Sequence, residues 1–562
     1  MTPLIVIICY MCLLLGLGLL SNRSFRGTSK DYFVASHSIG PFLLLMSVFG
    51  TTMTAFALVG STGKSFERGV GVYGLMASIS GLVHAAVFFL IGIRLWVYGK
   101  KYGYVTQIQF FRDRFESNGL GYLLFPVLVG LVVPYLLIGV IGAGKTIQPV
   151  TAGAFPEMFP GGPWAGGIPP WLTGLVVCGV VMMYVFAGGS RGAAWANTFQ
   201  TLVFMVMGLV AFIFISNSLG GITNAAKIAA VVEDGKVVQK YRYDKEQGTI
   251  VENETPKVIA TLKHPEEAEA LEGKQPHLAR TVVEVNYKSK NRKTGELVDK
   301  ERELGIPPLM FLTYLFIPLS VGMFPHLFQH WLTAKSAKAF RLTVIAHPLC
   351  ILVVWVPCVL IGAWASGLLP MGVPPAAVLA AMLKMLVGNP VLTGLLTAGV
   401  LAAIMSSLDS QFLCLGTVFT SDIVLHKYGK ERFNEKQIIW IARGFVIAIV
   451  ALTYILAMVL INANVFDLAV WCFSGFGGLF PIVFAAVYWK RATAAGAFAA
   501  IIASMAVWLY FFAAAGWGGE YTVMGGVMPA AFCFIAGAVA MVVVSLATKP
   551  PSQETINKFF PE

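Results

Sequence analysis

Apolar residues in this chain fall in long runs rather than in alternation, and the runs set its organisation. Stretches near residues 4–20, 40–62, 73–98, 120–143, 170–187, 194–217, 307–333, 342–366, 390–420, 436–462, 466–489, 493–515 and 527–547 are apolar throughout, thirteen in all. A helix needs about 20 such residues to cover about 30 Å of hydrocarbon, so each run predicts one membrane span. One stretch, residues 218–306, departs from this pattern. Its segments KVVQKYRYD (236–244), GTIVENE (248–254) and PKVIATLKH (256–264) alternate and are rich in β-branched residues. TVVEVNYK (281–288), a turn-like KNRKTG and ELVDKERE (296–303) read as a hairpin. The pattern predicts a small β-rich lobe; high charge density and few aromatics leave a disordered linker as the other reading.

Composition agrees with the runs. The 562 residues are 57% hydrophobic and only 12% charged, against about 25% charged in a soluble domain. A formal net charge of +12 suggests nucleic acid until its distribution is considered. Residues 224–304 hold 15 Lys/Arg and 15 Asp/Glu, so the whole excess lies elsewhere, mostly in short connections between spans. The bases cluster after odd-numbered spans, as Arg23, Arg26 and Lys30, Lys100 and Lys101, Arg112 and Arg114, Lys335 and Lys338, or Lys427 and Lys430. The positive-inside rule then puts the N-terminus outside, the C-terminus in the cytoplasm and the 218–306 lobe outside. Nucleic acid is excluded as a partner, the lipid bilayer is implied, and no obligate protein partner is inferred. None of the eight cysteines lies in the polar segment and none has metal-like spacing, so no disulfide framework or Cys metal centre is predicted. The first run lacks a basic flank before it and reads as a retained span.

Candidate chemistry concentrates in residues 402–424. Ala403, Ser406, Ser407 and Ser410 fall at i, i+3, i+4 and i+7, so one helix face carries three hydroxyls beside a small residue, with Asp409 close by. An ionisable residue at membrane depth is costly and marks function by default. Hydroxyls, carboxylate and freed carbonyls are hard oxygen donors suited to a small hard cation. The plainer reading is serines bonded back to their own helix or packed against a neighbour. In the seventh run, Pro325 beside Phe324 and His326 predicts local unwinding, with His326, Gln329 and His330 on one face, available either for packing or for an anionic or amide ligand. No catalytic constellation, zinc spacing or P-loop is present, which argues against an enzyme and against an ATP-driven pump.

Several segments, in order, resemble the sodium:solute symporter family. They are DYFVASHSIGP (31–41), SVFGTTMTAFALVGSTG (47–63), YGYVTQIQFFRDRF (102–115), YVFAGGSRGAAWANTFQTLVF (184–204), GMFPHLFQHWLTAKSAKAFR (322–341), residues 402–424, and FPIVFAAVYWKRATAAGAFAA (480–500). Ser36-His37 stands where the family has Gly-Arg. The resemblance implies an all-α polytopic membrane protein with an inverted five-helix-repeat, leucine-transporter-like core, here carrying the β-rich extracytoplasmic insertion. It divides the chain into an N-terminal extra helix and loop (1–39), a first repeat (40–217), the insertion (218–306), a second repeat (307–489) and C-terminal helices with a short tail (490–562).

The first helix of each repeat is then broken at mid-membrane, with Gly50-Thr51-Thr52-Met53-Thr54 as the first break. Carried over by position, the family's main sodium site uses the carbonyls of Gly50, Met53 and Ala403 and the hydroxyls of Ser406 and Ser407. At a second site found in some members, Asn197 replaces the expected Asp and Asp409 occupies what is often Ser, so Asn197, Asp409 and Ser410 form a candidate cation or proton site. The other reading makes Asp409 a structural acid bonded to Asn197. Thr51, Thr54, Phe56, Phe324 and His326 are the substrate candidates. The expected activity is sodium-coupled symport of a small organic solute, a monocarboxylate, amino acid or similar, in a bacterial inner membrane. The alternatives are a proton-coupled symporter of the same fold and a symporter-like sensor.

Overall fold

A computed structural model describes residues 1–21, 27–72, 79–160, 166–244, 246–279, 282–290 and 296–561. Arg23, Arg26, the predicted start of the third span (73–78) and most of the KNRKTG turn lie outside the described residues.

Ten helices are long and apolar enough to cross a membrane, and two further spans are bent pairs: Pro41–Thr52 with Phe56–Arg68, at 54°, and Pro308–Gly322 with Pro325–Thr333, at 53°. The ten include one run of 49 residues, Pro170–Ser218, twice the length that hydrocarbon requires. It is divided at Gly189, whose φ of 54° and ψ of −149° are non-helical. Only glycine suits that backbone, and a Cβ there would lie 2.7 Å from the Tyr32 ring and 2.8 Å from the Tyr32 carbonyl. Counting each bent pair as one span gives twelve, and dividing the long run into spans five (170–188) and six (190–218) gives thirteen among the described residues, the number of the apolar runs.

Burial sorts the spans into a centre and a rim. The central 18-residue stretches of span nine (Pro390–Val418, continuing to Tyr428) and span eleven (Val465–Tyr488) are 83% buried, against 28% for span one (Thr2–Ser21) and span twelve (Ala494–Ala514). Spans nine and eleven therefore see protein all round, and their polar residues must find partners inside it. Span nine packs against span six and span four (Asn118–Thr151), and span eleven against span four and span thirteen (Pro529–Ala547).

The segment between spans six and seven is an ordered lobe. Strands β1 (Val231–Glu233), β2 (Lys236–Asp244), β3 (Thr249–Leu262), β4 (Val283–Lys290) and β5 (Leu297–Leu304) form an antiparallel meander in sequence order. The linker reading is set aside. Sequence pattern locates β2 to the residue but divides β3 in two at Pro256. The strand in fact continues through a bulge: Gln239 pairs with Lys257 while Tyr241 pairs with Glu252. Proline lacks the donor a ladder needs, and the bulge accommodates it. Val232, Val237, Ala260, Val285 and Leu304 give the lobe its own small core. It is moored to the membrane domain where Gln239 Nε2 donates to the carbonyls of Ser366 and Leu369, both at 2.8 Å.

Candidate functional site

The first bent pair opens at Met53, whose φ of −93° and ψ of 86° end the helix Pro41–Thr52. Thr54 starts the second half: its Oγ1 accepts from the Phe56 amide at 2.9 Å, satisfying a donor that the break would otherwise orphan. In span seven Pro325 performs the same task differently, opening the second half at a position whose amide needs no partner.

The break in span two faces the serine ridge of span nine. Ser406 Oγ donates to the Gly50 carbonyl at 2.8 Å and lies 3.0 Å from the Ala403 carbonyl. Gly50, Met53, Ala403, Ser406 and Ser407 are all buried, at most 2% exposed where a side chain is present. Ser407 Oγ is turned back to the Ile404 carbonyl, at 2.9 Å. Gly50 also lets span six approach, since a Cβ there would lie 2.2 Å from Thr201 Oγ1. One hydroxyl and one carbonyl oxygen from helices far apart in sequence thus meet in a buried interior, with a second carbonyl, that of Ala403, adjoining.

A second polar cluster lies one turn along span nine. Asp409 Oδ2 accepts from the Tyr184 hydroxyl at 3.0 Å and Oδ1 from Ser410 Oγ at 3.0 Å. Ser410 Oγ in turn lies 2.8 Å from Asn197 Nδ2 and 2.9 Å from His330 Nε2. A hydroxyl has one hydrogen and two lone pairs, so the count closes with Ser410 donating to Asp409 and accepting from both others. Tyr184, His330 and Gln200, which bonds the tyrosine hydroxyl at 3.5 Å, are members that sequence reading did not assign to this cluster. The amide oxygens Asn197 Oδ1 and Gln200 Oε1 are buried without a donor among the described residues.

The substrate candidates separate. Phe56 and Phe324 line a narrow cavity of about 20 Å³ with Met53, Tyr135, Trp355 and Phe473. Phe56 also stacks on Phe466 at 4.9 Å. No Lys, Arg, Asp or Glu lines that cavity. Thr54 is occupied as a cap, whereas Thr51 Oγ1, Trp355 Nε1 and both ring nitrogens of His326 are buried with no partner among the described residues. His326 lies against Tyr135 and Phe324, ring centroids 5.6 and 5.0 Å away. Gln329 is committed to the Phe33 carbonyl and Thr417.

The two faces of the membrane domain differ. Opposite the lobe, an open vestibule of about 950 Å³ is bounded by Phe33, Gln109, Arg112, Ser421, His426 and Lys558. The C-terminal helix Gln553–Phe559 docks at its mouth through Lys558 to Asp113 at 2.6 Å. Glu116 beside it accepts from the hydroxyls of Ser552 and Thr555, which hold its carboxyl below the usual range. On the lobe face, a space of about 580 Å³ lies between lobe and membrane domain, bounded by Glu67, Lys145, Tyr287, Arg302 and Asn464, and a separate crevice of about 20 Å³ adjoins Lys64, Asp467 and Glu520.

Two broken helices facing a buried, hydroxyl-bearing helix within a bundle of apolar spans are the distinguishing features of this fold. In solved structures the same fold occurs in a Na+-coupled sialic acid symporter in a substrate-bound outward-open state, with a TM-score of 0.68 over 98% of this chain and 99% of that one at 17% identity. It also occurs in Mhp1, a nucleobase-cation-symport-1 family transporter, with a TM-score of 0.51 at 11% identity over 94% and 97% of the two chains. The core is therefore of the leucine-transporter type. Among curated proteins, the sodium/proline symporter of Escherichia coli (strain K12) is 23% identical over 99% of this chain and 96% of its own. The sodium/pantothenate symporter of the same organism is 22% identical over 88% and 87%. The model of the sodium:solute symporter family matches residues 32–504, and the chain belongs to that family.

Proposed function

We propose that this chain couples sodium entry to uptake of a small organic solute by alternating access across a bacterial inner membrane. The observation that carries the reading is the 2.8 Å contact between Ser406 Oγ and the Gly50 carbonyl, which joins the broken span two to span nine at mid-membrane. A sodium ion held by the oxygens of Gly50, Met53, Ala403, Ser406 and Ser407 clamps the two spans in one arrangement. Its loss frees them. Coupling follows because ion and solute favour the same arrangement.

The near-equal bends of 54° and 53° in spans two and seven support two inverted repeats, about 40–217 and 307–489. Basic residues on the vestibule face support a cytoplasmic C-terminus and an external lobe. The aromatic walls of this small space, with Trp355 Nε1 as a spare donor and His326 packed behind Tyr135 and Phe324, support a compact solute with a hydrogen-bond acceptor, such as a monocarboxylate or amino acid, admitted when the helices part. Curated relatives that carry proline and pantothenate support that size class.

Asp409 supports a second ion. Two orphaned amide oxygens beside a buried carboxylate call for a positive charge, which either a second sodium or a proton supplies. Solute-dependent ²²Na⁺ uptake into proteoliposomes, over a panel of monocarboxylates, amino acids and vitamins, tests symport. Flux without any sodium dependence, or sodium-independent binding alone, overturns it in favour of a proton-coupled carrier or a sensor.

A further inference from the structure

The lobe face is closed by an ion cluster that the sodium reading does not use. Lys64, on the second half of the broken span two, is 1% exposed. Its Nζ lies 3.1 Å from Asp467 Oδ1 in the first turn of span eleven and 2.7 Å from Glu520 Oε2 in the connection between spans twelve and thirteen. Glu67 Oε2 adds a weaker contact at 3.6 Å. One turn on, Arg68 reaches Glu303 Oε2 of β5 at 2.6 Å and the Glu303 carbonyl at 2.8 Å, while its other nitrogen lies 3.5 Å from Glu520 Oε1.

The lobe also caps this half-helix. A helix ends with carbonyls that have no partner within it. Here the Gly305 amide donates to the Arg68 carbonyl at 2.7 Å, and His277 Nε2 lies 3.0 Å from the Phe66 carbonyl. The Val70 amide returns the bond to the His277 carbonyl at 2.8 Å. The insertion therefore grips the end of the moving half of span two by both its charge and its backbone.

Beneath the ion cluster lies an aromatic layer. Lys64, Asp467 and Glu520 border the lobe-face crevice together with Tyr314 and Phe466. Tyr314 is also a wall of the central cavity, and the Phe56–Phe466 stack stands between the two spaces. A path from the lobe face to Met53 through this crevice passes between Lys64 and its partners Asp467 and Glu520. The vestibule opposite has ion pairs of its own, Arg112 with Asp422 at 3.3 Å and Lys558 with Asp113 at 2.6 Å, yet stays open at about 950 Å³.

We propose that Lys64 is the hub of the gate on the lobe face, that Asp467 and Glu520 are its latches, and that the lobe braces it through Glu303, Gly305 and His277. This rests on the alternating-access reading, but it predicts behaviour that is independent of sodium. Removing the Lys64 charge leaves the buried Asp467 carboxylate without its counter-charge and beside Glu520, which among the described residues only Arg68 then reaches, at 3.5 Å, and this drives the elements apart. Exchanging the signs restores the attraction.

Hydrogen–deuterium exchange of the full chain in lipid nanodiscs, in potassium buffer without sodium, reads the gate directly. In Lys64→Met, peptides spanning 61–69 and 465–474 should exchange at least about tenfold faster than in the unmodified protein, while peptides in span nine keep their rates. Lys64→Asp should behave likewise, and Lys64→Asp with Asp467→Lys should return to within about threefold of the unmodified rate. Glu303→Gln should raise exchange in both peptides by a smaller factor. Where Lys64→Met fails to reach the membrane, Glu520→Gln carries the same expectation at reduced amplitude. Unchanged exchange in Lys64→Met or Glu520→Gln overturns the gate, as does a double reversal no better than Lys64→Asp. Acceleration confined to the lobe in Glu303→Gln overturns the brace. Because no sodium is present, failure of the ion site leaves these outcomes untouched.

Discussion

Two of the contacts that hold the broken span two against its neighbours use opposite chemistry. At mid-membrane the contact is neutral, a serine hydroxyl on the Gly50 carbonyl. At the lobe face it is fully charged, with Lys64 and Arg68 among Asp467, Glu520 and Glu303. Neutral oxygens deep in a low-dielectric interior attract a monovalent cation without fixing it there permanently, since no full countercharge has to be abandoned when the ion leaves. The charged contact can separate because Glu520 and Glu303 are already about a third exposed, and Lys64, buried while paired, is rehydrated as the gap opens. The mid-membrane contact is thus suited to an ion that comes and goes. The lobe-face contact is suited to a barrier that opens and shuts.

The sharpest way to break this contrast is steric. Gly50→Val places carbon where Thr201 Oγ1 already sits, 2.2 Å from an ideal Cβ. Transport should fall by about a hundredfold or more, with near-normal amounts of protein in the membrane; retained uptake would mean that span six does not press on the break. Ser406→Ala and Ser407→Ala come next. Each should raise the sodium concentration for half-maximal uptake by about tenfold, equivalent to about 1.4 kcal/mol, and the larger shift is expected at Ser406, the residue already bridging the helices. Equal sodium dependence in both variants and the unmodified protein would remove the ion from this place.

Asp409→Asn sharpens the contrast from a third position. It keeps hydrogen-bonding capacity toward Tyr184 and Ser410 but removes the charge, so the number of ions moved per solute should drop by one. An unaltered ratio, measured from reversal potentials, assigns Asp409 to structure alone.

The smallest effect concerns pH at the lobe. Burial and the nearby Arg302 pull His277 down to about 4, from an ordinary value near 6.5. A histidine whose folded value is depressed gives stability that is complete above the unfolded value and is lost as pH falls toward the folded one. Docking of the lobe on span two should therefore weaken between about pH 6.5 and 4, seen as faster exchange in residues 66–70, and His277→Gln should flatten that profile. An identical pH profile in the variant would show that other groups set it.

Much of this arrangement was legible in the residues. Thirteen apolar runs gave the spans, because a membrane turns burial into a length requirement that a sequence displays directly. Alternation gave the β-rich lobe, and the spacing of Ser406, Ser407 and Ser410 gave a polar face on span nine. Less legible was anything that depends on which helices meet. Tyr184 and Gln200 lie far in sequence from Asp409, and no local pattern marks them as its neighbours; only their polarity within an apolar run was a signal. Lys64 and Arg68 lie just past the apolar run 40–62, whereas the helix itself continues to Arg68 and carries both. Their partners, Asp467, Glu520 and Glu303, come from three separate connections and could be paired only by the fold. The apolar helix 375–386 was likewise missed, being too short to register as a span.

Equilibrium ²²Na⁺ binding to purified protein separates the two regions most directly. The unmodified chain and Lys64→Met should both bind sodium saturably, while Ser406→Ala should bind it at least about tenfold more weakly. Binding that survives intact in Ser406→Ala, or that vanishes in Lys64→Met instead, would contradict a cation seated between the break at Gly50 and the ridge of span nine.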